Sequence, residues 1–258
     1  MKKLLFLLLF TVSCFSYGQD FAGDTPELYI GKQIQPKELD SSLIKYGYKY
    51  FFTDKKARKR FNEADGCYCT PYDQLNNKTF TVISIEDFIL SSYKLLVLDN
   101  EETGTVYYKY SIKYPTSLEF KVIDGLDFPE GYFCNKITTK TDKFTGDTTS
   151  RSPILDKVSF TKSNDDIYLK LTTYGSTANV NKKGVIILLD NGKKIEKPEE
   201  KIDVDVDKYG YRYSAFIRLN NEDIELLSNN EITDYRLYIY DKSISNGNVY
   251  KEYLKCLK

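Results

Sequence analysis

The stretch Val185-Ile186-Ile187-Leu188-Leu189-Asp190-Asn191-Gly192-Lys193-Lys194-Ile195 decides the fold class. A short apolar run is broken by Asn-Gly and resumes at Lys193–Ile195. Both turn residues tolerate positive φ, so the pattern predicts an antiparallel hairpin. Tyr93–Leu98 and Val106–Tyr110, joined by Asn100-Glu101-Glu102-Thr103-Gly104, read as a second hairpin. Ile44, Tyr46, Tyr48, Tyr50 and Phe52 alternate with the period of two expected of a half-buried strand. Phe80 and Val82 fall on one face of a further strand and Ile83 and Ile85 on the other.

Leu118–Val122, Tyr132–Thr138, Lys157–Thr161, Ile167–Thr173, Tyr211–Arg218 and Ile232–Tyr240 extend the strand inventory. Asn220 is placed to cap a short helix through Leu227, with Ile224, Leu227 and Leu226 toward the core. Val249, Tyr250, Tyr253, Leu254 and Leu257 fall at the spacing of a terminal helix. The expected fold is mainly β with a few short helices, in two antiparallel-sheet domains. Gly125 to Gly131, with Pro129 inside, marks the joint, so the expected organisation is residues 1–18, 19–125, a linker at 126–131, and 132–258.

Residues 1–18 have the layout of a signal peptide: Lys2 and Lys3, an apolar run from Leu4 to Val12, then Ser13 to Gly18. Ser16 and Gly18 are the small residues that cleavage before Gln19 requires. The competing reading is lipidation at Cys14, with Ser13 before it, which would anchor the protein. The expected location is periplasmic or secreted, and no apolar run has the roughly 20 residues of a transmembrane helix. Loss of Lys2 and Lys3 leaves 35 basic against 37 acidic side chains. That balance argues against nucleic acid, whose phosphates favour a strongly basic partner. The partner is not named by the sequence; an envelope protein or a glycan is the expected class, with tyrosines able to form a carbohydrate platform and the lack of tryptophan counting against one.

Histidine is absent, which excludes Ser-His-Asp and Cys-His catalysis and imidazole metal sites. There is no Gly-x-Ser-x-Gly elbow and no phosphate-binding loop, and no cofactor is expected. A hydrolase built on carboxylates leaves no local signature, so it stands as the alternative to a non-enzymatic binding or structural module.

Three clusters carry candidate chemistry. Four cysteines remain beyond the leader, and Cys134 with Cys256, bracketing the second domain, are the disulfide candidates of an exported chain. Cys67 and Cys69 then pair with each other, stay free or bind something. Lys55, Lys56, Arg58, Lys59 and Arg60 form a basic cluster, read either as an anion site or as the wet face of a helix capped by Asp54, ended by Gly66 and buried through Ala57, Phe61 and Ala64. Asp203-Val204-Asp205-Val206-Asp207 imitates the start of a calcium loop, but Lys208 and Ser214 stand where that loop needs Gly and an acid, so it reads as a strand with an acidic face.

From Leu169 to Leu189, with Thr172-Thr173-Tyr174-Gly175-Ser176-Thr177, and at Asp234-Tyr235-Arg236-Leu237-Tyr238-Ile239-Tyr240-Asp241, the chain resembles exported bacterial proteins of unknown function. The resemblance covers the second half and implies neither an activity nor a site residue.

Overall fold

A computed structural model of the chain describes residues 20–63, 66–114, 117–244 and 247–258. The leader 1–18, Cys14, the cleavage position at Gln19, and Ala64 lie outside the described residues. The chain divides into two compact units between Asp127 and Phe128, and the fold is mostly antiparallel β with a few short helices.

The first unit holds β1 (Gln33–Pro36), β2 (Phe51–Phe52), the single turn α1 (Tyr72–Leu75), β3 (Phe80–Asp87), β4 (Tyr93–Asn100), β5 (Gly104–Ser111) and β6 (Phe120–Val122). They form one sheet in the order β2-β5-β4-β3-β1-β6. The β4–β5 hairpin closes where the Asn100 side chain accepts the N–H groups of Glu102 and Thr103 at 3.1 and 3.0 Å. Leu98, Val106, Tyr108, Phe80, Ile34 and Phe120 bury one face of this sheet.

Three expectations for this half need correction. Only Phe51–Phe52 of the predicted strand 44–52 is a strand, because Ile44–Tyr46 is a 3-10 turn. Gly47 sits at φ +52°, and a Cβ there would meet the Thr70 carbonyl oxygen at 2.2 Å. The chain therefore turns at a point only glycine allows. In β3 the register shifts between Val82 and Ser84. This β-bulge leaves Ile83 53% exposed and sets Ile85 opposite Leu96, on the face of Val82 rather than against it. Finally, the basic segment is not helical: Asp54 accepts the N–H groups of Lys56, Arg58 and Lys59 at 2.9, 3.1 and 3.0 Å. Its carboxylate closes a loop in which Ala57 has φ +49°.

The second unit holds β7 (Thr138–Thr141), β8 (Thr148–Arg151), β9 (Val158–Ser163), β10 (Asp166–Gly175), β11 (Lys183–Leu189), β12 (Lys194–Lys201), β13 (Asp203–Asp207), β14 (Gly210–Arg218), α2 (Asn221–Asn229), β15 (Ile232–Leu237), β16 (Tyr240–Ser243) and α3 (Gly247–Leu257). A six-stranded sheet runs β13-β14-β10-β9-β8-β7 and a four-stranded one β12-β11-β15-β16. Both contribute to one core with α2 and α3, through Leu169, Leu171, Ile187, Ile217, Leu227, Leu237 and Leu254.

Local chemistry explains these elements. Asn220 accepts the Asp223 N–H at 2.8 Å while Asp223 accepts the Asn220 N–H at 2.9 Å, a reciprocal cap that starts α2. The 5%-exposed Asp223 also meets the Lys197 ammonium at 2.6 Å. The Asn191-Gly192 turn is a three-residue loop: Gly192 N–H bonds Leu189 O, Leu189 N–H bonds Lys193 O, and Gly192 takes φ +78°. Ile232–Tyr240 is not one strand, since the chain reverses at Tyr238, φ +57°, to pair Leu237 with Tyr240. Nor is Tyr132–Thr138 a strand. Tyr132 and Phe133 gather with Phe128 (ring centroids 4.8 and 5.0 Å), a 3-10 turn spans Cys134–Lys136, and β7 begins at Thr138.

Both cysteine pairs are bonded. Cys134 and Cys256, Cα atoms 5.1 Å apart, tie the turn at 134–136 to α3. Their separation of 122 residues corresponds in the chain-entropy model to about 5 kcal/mol of restraint on the unfolded chain. Cys67 and Cys69 close a loop over one residue, for which the same model gives only about 2 kcal/mol.

Seven of the described tyrosines, Tyr29, Tyr48, Tyr108, Tyr110, Tyr213, Tyr235 and Tyr250, are less than 2% exposed. Each hydroxyl donates to a backbone carbonyl: those of Asp20, Lys37, Ser117, Gly23, Thr177, Thr172 and Leu155 respectively. Burial pushes the Tyr108, Tyr235 and Tyr250 phenols well above their ordinary range, so they remain protonated donors. Tyr250→Phe is expected to destabilise the protein by about 1 kcal/mol in urea unfolding, because it removes the hydroxyl's bond to the Leu155 carbonyl and leaves that oxygen only the Val158 N–H. Tyr209→Phe, at an exposed hydroxyl, is expected to change it by under about 0.5 kcal/mol.

Candidate functional site

Alternation in the six-stranded sheet sends Leu169, Leu171, Ala215 and Ile217 inward and leaves Tyr168, Lys170, Phe216 and Arg218 on the opposite face. Across β9 the same face continues through Thr161 and Ser163, across β8 through Arg151 and Thr149, and across β7 through Thr138 and Lys140. The outer face is thus one surface graded from β13 to β7.

Its β13 side is laced with charge pairs. Arg212 meets Asp205 at 2.8 Å, the Tyr174 hydroxyl donates to Asp207 at 2.9 Å, and Arg218 meets Asp166 at 2.5 Å. In the middle, the rings of Tyr168 and Phe216 stack at 4.7 Å and 7°, with Phe216 49% exposed. The β7 side opens into a pocket of about 880 Å³ lined by Lys136, Thr138, Lys140, Thr149, Arg151 and Ser163 among others. Lys140 and Arg151 make no ion pair among the described residues. Of the pocket's acids, Asp142 is engaged in the β7–β8 turn: it accepts the N–H groups of Phe144 and Thr145 at 2.7 and 3.1 Å, and these bonds hold its carboxyl below the usual range. Asp147 accepts from the Asn164 amide at 3.4 Å. The arrangement offers a hydroxyl-lined basic trough beside an aromatic pair.

The cations of the basic cluster are dispersed. Lys55 meets Glu86 at 2.6 Å. The Arg60 guanidinium lies 4.2 Å over the Phe52 ring, and its Nε donates to the Tyr68 carbonyl at 3.2 Å. Lys56, Arg58 and Lys59 are exposed around the Asp54 loop. The acids of Asp203–Asp207 lie on β13, with Asp205 committed to Arg212, and no group of three His, Cys, Asp or Glu suited to a metal occurs among the described residues.

Sequence reasoning passed over two groups that the structure assembles. The outer sheet face had its only signal in the alternation of Tyr168, Lys170, Phe216 and Arg218. Glu119 had none. Its carboxylate accepts the Lys49 N–H at 2.8 Å and the Tyr50 N–H at 2.9 Å, and burial outweighs these bonds and the pull of Arg60 to raise it to about 7. A carboxyl raised in the folded state binds its proton more tightly there than in the unfolded chain. Its contribution to stability is full below about pH 4.5 and is lost as pH rises through about 7. Urea unfolding of the wild type is therefore expected to show stability falling across that window, and Glu119→Gln is expected to remove that fall.

No family model, no curated protein and no solved structure matches this chain.

Proposed function

We propose that this protein is an exported, non-enzymatic binding module of the cell envelope, and that it holds an acidic glycan on the outer face of the six-stranded sheet. The observation that carries the reading is the Tyr168–Phe216 stack beside the trough of Lys140, Arg151 and threonine hydroxyls. Sugar rings present apolar faces that stack on aromatic rings and hydroxyls that exchange hydrogen bonds with Thr and Ser. Carboxylate or phosphate groups on the glycan would meet Lys140 and the forked donors of Arg151. Residues bonded through two disulfides accord with an oxidising compartment. No helix among the described residues is long and apolar enough to cross a membrane.

The carboxylate-hydrolase alternative needs two acids facing one another roughly 5–9 Å apart, one of them protonated. In the trough Asp142 serves the β7–β8 turn and is held ionised, while Asp147 accepts from the Asn164 amide.

Two measurements test this reading. On immobilised acidic polysaccharide, Phe216→Ala and Arg151→Ala are each expected to weaken binding about tenfold, roughly 1.4 kcal/mol. Added salt is expected to weaken the wild type in the same direction. Retention of both variants at the wild-type level would remove this face from consideration. Mass spectrometry of the protein from its native host is expected to find an amino terminus at Gln19; a diacylglyceryl group on Cys14 would place it on a membrane leaflet instead.

A further inference from the structure

We propose that the Cys67–Cys69 disulfide in the first unit is a redox-exchange site that oxidises a dithiol in another exported chain. The two cysteines are separated by Tyr68 alone, and Tyr68 is 87% exposed. Exposure does not distinguish this bridge from the other, since Cys134 is itself exposed. Loop length does. Cys134–Cys256 closes a loop of more than a hundred residues and joins two elements of the second unit's fold, whereas a bridge over one residue restrains little of the unfolded chain. Short, stiff loops also depart most from ideal closure. Accessible disulfides with little structural role are the ones that exchange.

The surroundings divide the two sulfurs. Cys69 is 4% exposed and packed where Gly47 lacks a side chain, a Cβ there falling 3.2 Å from its Sγ. Cys67 is half-buried, the more exposed of the two. Thr70 and Tyr48 exchange two backbone hydrogen bonds of 2.8 Å, which hold Cys69 in place whether or not it is bonded to Cys67. Arg60, fixed over Phe52, donates to the carbonyl of Tyr68, the residue between the two cysteines, and so brings a positive charge to the backbone of the ring they close. A nearby cation stabilises a departing thiolate, which makes Arg60 a positioning residue.

The exchange balances without further reagents. A thiolate of the partner attacks Cys67 Sγ, forming a mixed disulfide. The Cys67–Cys69 bond breaks, and its electron pair leaves on Cys69 Sγ, which takes a proton. The partner's second thiolate then attacks the partner sulfur of the mixed disulfide, closing the partner's disulfide and releasing Cys67. The partner loses two electrons and two protons, and the two cysteines gain them.

The test uses the full mature protein in glutathione redox buffers, with acid quenching, differential alkylation and peptide mass analysis. Cys67–Cys69 is expected to open and re-form reversibly at glutathione ratios that leave Cys134–Cys256 oxidised. A reduced Cys-x-x-Cys peptide is expected to become oxidised as Cys67 and Cys69 thiols appear in equal amount. Reduction by glutathione with the peptide left as a dithiol would overturn the proposal, as would opening of the two bridges together. With the oxidised peptide, C69S is expected to form the mixed disulfide at least about tenfold faster than C67S, because only Cys67 is accessible; equal rates would overturn the assigned direction of attack. Arg60→Gln is expected to slow exchange several-fold, and an unchanged rate would remove Arg60 from the site. The wild-type titration needs no variant, so it decides the proposal even if a substitution prevents folding.

Discussion

The tyrosine hydroxyl bonded to a backbone carbonyl is the interaction on which both units depend. An aromatic ring can fill a core only if its polar tip finds a partner, since an unpaired buried hydroxyl costs about 1–3 kcal/mol. In all seven deeply buried tyrosines that partner is a main-chain oxygen, and in six it belongs to a segment outside the strands. The same residues therefore supply apolar area and fasten the connections. In a chain without tryptophan and with 23 tyrosines, this joins core and loop order in single side chains. Tyr29 shows the economy: its ring packs edge-on against Tyr110 and Phe120 at 5.3 Å, and its hydroxyl also accepts the Ala22 N–H at 3.0 Å.

Charged groups follow a different rule. Most ion pairs are exposed and contribute little to stability, but a few acids are used as structural acceptors. Asp54 gathers three N–H groups, Asp142 gathers two, Asp223 completes a helix cap, and Glu119 tethers the chain at Lys49 and Tyr50. What remains open is the outer face of the six-stranded sheet, where alternation alone places the Tyr168–Phe216 stack in line with Arg151 and Lys140. A tight fit between Gly175 and the Tyr240 ring, where a Cβ would lie 2.3 Å from the ring, joins the two sheets of this unit behind that face. Tyr213 and Tyr240, one from each sheet, have ring centroids 4.5 Å apart.

The strands at Tyr93–Leu98, Val106–Tyr110, Ile167–Thr173, Val185–Leu189 and Tyr211–Arg218, the Asn220 cap and the terminal helix were legible because each rests on local periodicity or turn chemistry. The acidic β13 was legible for the same reason, as the alternation of Val204 and Val206 with the aspartates describes a strand. The alternation from Ile44 to Phe52 misled, because a close approach to Thr70 at Gly47 overrides it. Ile83 and Ile85 misled because a bulge changes the phase of β3. The basic helix failed because Asp54 reaches N–H groups two, four and five residues ahead, a pattern that closes a loop. The candidate sheet face was illegible because its residues come from five strands and converge only through register.

The sequence by itself determined a mostly antiparallel β chain with few helices, since strand alternation and turn residues act over a handful of neighbours. It also determined the absence of any histidine-based chemistry, which is a matter of composition. Tertiary structure decided which tyrosines are buried and which carbonyl each one holds, where the bulge in β3 resets the faces, and how Arg60 comes to bond the Tyr68 carbonyl between Cys67 and Cys69. It also decided that Glu119 titrates near neutrality while Asp142 stays ionised. These outcomes depend on burial and on contacts between residues far apart in the chain, and no local pattern of amino acids encodes either one.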